Sequence, residues 1–162
     1  MHYGLLDVSM GICYSLDMIQ SIKTKYWLVV VSKDHIEIGK KLGIVQANHG
    51  KAAPMKRMKP GDLIVFYSPK ILFQGKEPLK KFTAIARVKE GNVYQGDMGG
   101  GFTPFRRDVE FLPCEETEIQ SLIEELTFIK NKQSWGFVFR FGFFEIPKGD
   151  FETISKKMKV KY

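Results

Sequence analysis

Asn48, His49, Gly50 and Lys51 stand in a row between two apolar runs, joining an amide, an imidazole and an ammonium to a residue without a side chain. Such a segment offers donors and acceptors on a backbone free to turn, which suits reading the edge of a polar ring. A second group surrounds a glycine loop: Phe102, Phe105, Arg106 and Arg107 follow Gly99-Gly100-Gly101, where a ligand's backbone has room to approach. Trp27 and Trp135 add two amphipathic rings, each needing an apolar wall and a partner for its indole N–H; core and ligand-facing positions both meet that need. A flat heterocycle stacked on such a ring gains about 1–3 kcal/mol. Lysines and arginines outside the pocket hold phosphates without reading sequence.

Constellations for catalysis are thin. The chain has no GxSxG elbow, no P-loop and no GxGxxG after a strand. Cys114 precedes an acidic stretch, and Glu115, Glu116 and Glu118 raise rather than lower a thiol's pKa, against a nucleophile. His35 and His49 are either an acid–base pair or hydrogen-bonding fixtures. A structural zinc site takes about four ligands, whereas the three histidines His2, His35 and His49 are scattered and Cys13 and Cys114 lie outside any CxxC spacing. Neither a metal, a cofactor nor a disulfide framework is expected, and the chain reads as a reduced, cytoplasmic protein.

The elements that must position these residues follow from periodicity. Tyr26-Trp27-Leu28-Val29-Val30-Val31 is apolar throughout and predicts a strand buried on both faces. Asp34 caps a helix from His35 to Leu42, stopped by Gly43, and Ile44 to Ala47 makes a brief strand. Lys59-Pro60-Gly61-Asp62 is a type II turn into a strand from Leu63 to Tyr67, broken at Ser68-Pro69. Phe82 to Val88 and Phe105 to Leu112 are further strands, Val93-Tyr94-Gln95 leads out of a tight turn, and Gly96 to Gly101 reads as a mobile loop. Thr117 to Gln120 has the pattern of a capping box, opening a helix whose face is Ile119, Leu122, Ile123 and Leu126. Phe137 to Phe139 and Phe143 to Ile146 predict a hairpin around Gly142, and Asp150 caps a last helix with Phe151, Ile154 and Met158 on one face.

Six or seven strands and three helices make a mixed α/β (α+β) chain, a small barrel or curled, mostly antiparallel sheet. The 162 residues, 44% apolar and 27% charged, suit one core and one domain. No stretch nears the roughly 18 uninterrupted apolar residues of a membrane helix, so no membrane partner is expected. The domain occupies 26–160. Residues 1–25 differ from it, with Asp7, Asp17 and no basic residue before Lys23, which is not a secretory signal. They are either an added element docked on the domain or an upstream extension, with Met10 or Met18 the start.

The net charge of +7 is uneven: Ser21 to Lys89 holds fifteen Lys or Arg against four acids. A basic half of this kind attracts a polyanion; twenty lysines among twenty-five basic residues also fit a plain solvated surface. Lys51, Lys56, Arg57, Lys70 and Arg107 are the expected phosphate contacts.

Tyr26-Trp27 to Ser32 with His35, Gln46 with His49 to Pro54, Arg57 to Asp62 and Phe66 to Lys70 together form a recurring pattern. It continues through Phe82 to Ile85, Phe105 to Val109, Trp135-Gly136, Phe144 to Ile146 and Asp150-Phe151. These blocks resemble the EVE-domain family from about Tyr26 to Met158. The resemblance implies a PUA-like β-barrel, related to the YTH readers of methylated adenine in RNA. It also implies a non-catalytic module that binds a modified base, in DNA or RNA, through an aromatic-walled pocket. By position it assigns Trp27, Ser32, Asn48 and His49 to the pocket, Tyr67 and Ser68 to its rim, and Phe102, Phe105 and Arg106 to the opposite loop. Related members carry Trp-x-Gly-Val-Arg-Asn where this chain has Gly43 to Asn48; a tryptophan is missing there, and the cage is smaller or completed by His49. Two other readings stay open: a PUA-like RNA-binding module with no preference for modification, and an enzyme or metabolite sensor using His35, His49 and Arg106 on an anionic ligand.

Overall fold

The structure is a computed structural model that describes residues 23–161; the expectations for residues 1–22 lie outside the described residues. Eight strands form a curled mixed sheet, a half-barrel. They are β1 (Tyr26–Val30), β2 (Ile44–Val45), β3 (Leu63–Lys70), β4 (Pro78–Val88), β5 (Tyr94–Gln95), β6 (Phe105–Leu112), β7 (Thr117–Glu118) and β8 (Phe143–Glu145). The order across the sheet is β2-β6-β4-β3-β1-β8, with β5 beside β6 and β7 beside β4. All pairings are antiparallel except β1 with β3, which run parallel from Tyr26↔Leu63 to Val30↔Tyr67. A parallel neighbour needs a crossover, and here it carries α1 (Lys33–Leu42), β2, a short 3-10 turn at Asn48–Gly50 and α2 (Ala52–Arg57). The third helix, α3 (Lys148–Lys157), follows β8.

The sheet is covered on both faces, which explains why β1 and β3 read as unbroken apolar runs. Leu28, Leu63, Val65, Tyr67, Phe82 and Ile85 pack with Phe151 and Ile154 of α3. Trp27, Val29, Ile64, Phe66, Ala84 and Ala86 pack on the other side with Ile36 of α1 and Met55 of α2. Phe82 and Ile85 share a face despite their odd spacing because the register slips between Phe66↔Ala84 and Tyr67↔Phe82, leaving Thr83 as an extra residue.

Several expectations are corrected. β3 runs on through Ser68-Pro69 to Lys70; proline is tolerated there because the ladder is irregular between Ser68 and Lys70. The apolar residues after Thr117 are buried without a full helix, since only Ile119–Ser121 makes a 3-10 turn. The Lys132 ammonium donates to the Ile123 and Leu126 carbonyls at 2.7 and 2.8 Å and supports the irregular path. Trp135–Phe141 is a 3-10 segment rather than a strand, turned into β8 at Gly142. Asp150 lies inside α3, whose N-cap is Pro147, and its buried carboxylate accepts from Thr127 N (3.0 Å), Thr127 Oγ1 (3.0 Å) and Phe128 N (2.8 Å). Gly96 to Gly101 is tied rather than free: Met98 N donates to Phe102 O at 2.9 Å and Phe102 N to Gly99 O at 3.1 Å. No helix among the described residues is long and apolar enough to cross a membrane.

The parallel pair is clamped at its start by Asp62. Its carboxylate, 1% exposed, accepts from the Trp27 indole (2.8 Å), Lys25 N (2.9 Å) and Lys59 N (2.9 Å), while the expected turn closes with Asp62 N on Lys59 O at 3.0 Å. Asp62→Ala strands these donors, the buried indole N–H among them, and is expected to cost about 3 kcal/mol, measurable by urea unfolding. A loss near zero would show that water replaces the carboxylate.

Candidate functional site

At the opposite end, β1 and β3 run out beside the start of β8, and a cleft of about 700 Å³ opens there. Val31 and Ser32 close one side as β1 leads into α1, and His35 and Ile36 follow on that helix. Pro69, Lys70 and Phe73 come from the end of β3 and the turn after it, and Phe66 and Phe139 are buried at its base. Met98 and Phe102 come from the glycine hairpin. His35 stacks on Phe73 with centroids 4.9 Å apart and planes 24° apart. Among the described residues, the titratable lining groups are His35, His49, Lys70 and Arg140, with no carboxylate and no thiol.

Asn48, His49 and Gly50 carry its polar tips on a left-handed turn with φ of 48°, 57° and 77°. Asparagine and histidine are among the non-glycine residues that enter this region most readily. Gly50 N bonds Ala47 O at 3.0 Å, and Lys51 N reaches Asn48 O at 3.4 Å. Gly50 is required twice, for its φ and for space: a Cβ there would lie 2.4 Å from Pro104 Cβ and 2.8 Å from Pro104 Cα. Gly142 likewise leaves room for the Asn48 side chain, whose Oδ1 would be 2.3 Å from a Cβ at that position.

Of the expected pocket residues, Ser32, Asn48, His49 and Phe102 line the cleft. Ser32 is buried, its Oγ shielded from solvent and beside the Asp34 carboxylate. The others are placed elsewhere. Trp27 is 1% exposed in the core, its ring stacked on Phe143 at 4.8 Å and its N–H on Asp62. Tyr67 is buried against Phe139 at 4.0 Å, and that burial raises its hydroxyl's pKa. Ser68 is buried and bonds Thr83 through its hydroxyl at 2.8 Å. Phe105 is half-buried against the core on the α1–α2 side. Arg106 is buried outside the cleft lining, its guanidinium against Gly96 and over the Tyr94 ring, with Nε and Nη2 unpartnered; the trio His35, His49 and Arg106 is therefore not assembled in the cleft.

The expected phosphate contacts divide similarly. Arg107 is buried and donates to Met58 O (2.8 Å) and Gly91 O (2.7 Å), a structural role. Arg57 lies over Trp27 and Phe143 at 4.9 and 5.4 Å, roofing the stacked pair. Lys51 and Lys56 are exposed, and Lys70 lines the cleft with its ammonium 5.9 Å from the Phe73 centroid. The sequence reading missed Phe73, Phe139 and Arg140. Phe139 and Arg140 were hidden by reading their segment as a strand, although Gly136 and Gly142 bracket it as a turn would. Cys114 lies half-buried away from the cleft; burial pushes its thiol up, Glu116 adds to that, and the Ile85 backbone with Lys40 and Lys33 opposes it.

Gly50→Ala is expected to cost about 3 kcal/mol, from left-handed strain plus the Pro104 clash. Gly142→Ala meets only the movable end of Asn48 and is expected to cost about 1–2 kcal/mol, with the Asn48 amide resonances shifted in the NMR spectrum. Equal losses by thermal unfolding, with Asn48 unmoved, would contradict this geometry. Peptide-resolved alkylation is expected to label Cys114 slowly at neutral pH and to accelerate only above the ordinary thiol range; rapid labelling at pH 7 would show a thiolate.

Comparison with known proteins gives the same frame. A UPF0310 protein of Mesorhizobium japonicum is 50% identical over 135 residues, covering 82% of this chain and 91% of that protein. A UPF0310 protein of Bacillus subtilis is 40% identical, covering 86% and 95%. Among solved structures, the YTH domain of a Zygosaccharomyces rouxii protein in complex with N6-methyladenosine RNA superposes with a TM-score of 0.57 at 13% identity, covering 87% of this chain and 89% of that one. A Leishmania major protein superposes at 0.54 with 15% identity, covering 84% and 95%. These two likenesses speak to the fold. The EVE domain model matches residues 25–157, a span that takes in the whole half-barrel: the chain belongs to the EVE-domain family.

Proposed function

We propose that this protein binds nucleic acid without transforming it, and that the cleft receives one extruded base, preferentially one bearing a small modification such as a methyl group. One observation carries the reading: among the described residues, the cleft combines ring walls and amide and imidazole tips with charged side chains of only basic type. Aromatic and apolar surfaces at Phe66, Phe102, Phe139 and Ile36 suit a base's faces, and Lys70 and Arg140 suit the phosphates beside it. The EVE family and the shared fold of YTH domains solved with N6-methyladenosine RNA support the same substrate class.

Energetics place the selectivity. Burying one methyl group contributes about 0.8 kcal/mol, less than the penalty of about 1–3 kcal/mol for a mispaired buried donor or acceptor. Discrimination among bases therefore falls to Asn48 and His49, whose side chains carry the polar tips of the cleft. Extruding a base from a duplex costs a few kcal/mol, so single strands are the favoured form.

Calorimetry against a panel of modified nucleosides, followed by fluorescence anisotropy with short oligonucleotides, tests the reading. Asn48→Ala and Phe102→Ala are expected to weaken the preferred base about tenfold and to narrow its margin over the unmodified one. Lys51→Ala and Lys56→Ala should weaken all oligonucleotides alike, each lowering the single-strand salt slope by about 0.7. Equal losses on modified and plain ligands in every variant would reduce the protein to a general RNA binder, and binding indifferent to added DNA and RNA would favour a metabolite site.

A further inference from the structure

The 3-10 segment Trp135–Phe141 has two sides. On the inner side, Phe139 is buried and lines the cleft, and Arg140 lines it as well. On the outer side, Phe137 and Phe141 are 60% and 61% exposed, more than any other large apolar side chain among the described residues. They meet edge to face, with centroids 6.3 Å apart and planes at 88°, and the Arg140 guanidinium carbon stands 5.4 Å from the Phe137 centroid. Beside them runs a shallow groove of about 220 Å³, lined also by Phe128, Trp135 and Val138, with Asn131 and Ser134 adding polar groups.

Two rings so far out of the core do little for the fold. They leave faces in water that a stacking partner would cover.

We propose that this groove and its two phenylalanines seat the nucleotide next to the one in the cleft, so that the ligand is a single strand of nucleic acid rather than a free nucleoside or a duplex. The inference rests on the cleft reading above and extends it. Continuity argues for it: Arg140 borders the cleft and packs over Phe137, so a phosphate held by Arg140 has one base facing the cleft and its neighbour facing the groove. Charge agrees, because Lys130 lines the groove and, among the described residues, no carboxylate lines it or the cleft. The chemistry agrees too. Exposed ring faces accept any base's π-face regardless of sequence, whereas in a duplex each base's faces are already covered by the pairs stacked above and below it.

The test compares wild type with Phe137→Ala/Phe141→Ala, both exposed positions, and with Asn48→Ala. The probes are labelled single strands of about nine nucleotides, within the footprint of one small domain, as RNA and DNA. Each is used unmodified and with one central N6-methyladenine, and also annealed to its complement; N6-methyladenosine serves as the free nucleoside. Circular dichroism confirms folding. The double variant is expected to bind every single strand about tenfold more weakly, to bind the nucleoside as wild type does, and to lose the quenching of Trp135 emission that strands produce. Unchanged single-strand affinity, duplexes bound as tightly as single strands, or nucleoside binding lost together with strand binding would each overturn the proposal. Asn48→Ala leaving nucleoside and modified-strand binding intact would sink the cleft reading instead, with the double variant's loss still standing. A wild type that binds no strand removes both.

Discussion

The architecture turns on two parallel strands buried side by side, β1 and β3, held at their amino ends by the Asp62 carboxylate. A buried carboxylate is tolerated only when its lone pairs are used, and here two backbone N–H groups and an indole use them. The clamp sets the register, and the parallel direction forces a crossover that brings α1, β2 and α2 over one face. At the carboxyl ends the strands diverge into different elements and leave a gap. Open sheets with parallel strands bind ligands at that end for the same reason.

The mouth of the gap is assembled from segments far apart in the chain that approach closely because particular side chains are missing. The left-handed turn at Asn48–Gly50 nests against Pro104 of the hairpin, and the Asn48 amide sits over Gly142. The polar tips are therefore carried by a turn braced on two sides, which favours preorganised recognition: little side-chain ordering remains to be done when a ligand arrives.

Charge is distributed in a way that composition hides. Several cations of the basic half are tied to carboxylates, as in Lys33 with Glu37 and Glu116, Lys40 with Glu37 and Lys25 with Glu145. Arg107 is committed to the core, whereas Arg57 lies over the Trp27 ring and stays exposed. Lys51, Lys56 and Arg140 are exposed, Lys70 and Arg140 line the cleft, and further exposed lysines such as Lys41, Lys59, Lys76 and Lys89 spread the remaining charge over the surface.

Local pattern alone was enough for the strands from Tyr26, Leu63, Phe82 and Phe105, the helix before Gly43 and the turn at Pro60-Gly61, while the family came from the resemblance of its motif blocks. In each, periodicity or turn chemistry and tertiary packing agree. Ser32, Asn48, His49 and Phe102, expected together from the sequence, do line one cleft, beside the ends of the strands. Only the tertiary structure could decide between equivalent aromatics. Trp27 and Phe102 are both rings at strand-linked positions; Trp27 went inside because Asp62, distant in sequence, supplies the partner its indole needs. The same applies to Arg106 against Gly96, Arg107 on the Met58 and Gly91 carbonyls, Tyr67 on Phe139 and Ser68 on Thr83, each buried by a partner distant in sequence. Ile119 to Leu126 has a helical period yet folds irregularly, since the Lys132 ammonium and the core meet its carbonyls and side chains without a helix. Residue type and spacing thus determined which groups are available and which strands carry them. Which of those groups face the cleft was settled by long-range partners, because a buried polar atom goes where its hydrogen bond is, and spacing along the chain does not encode that place.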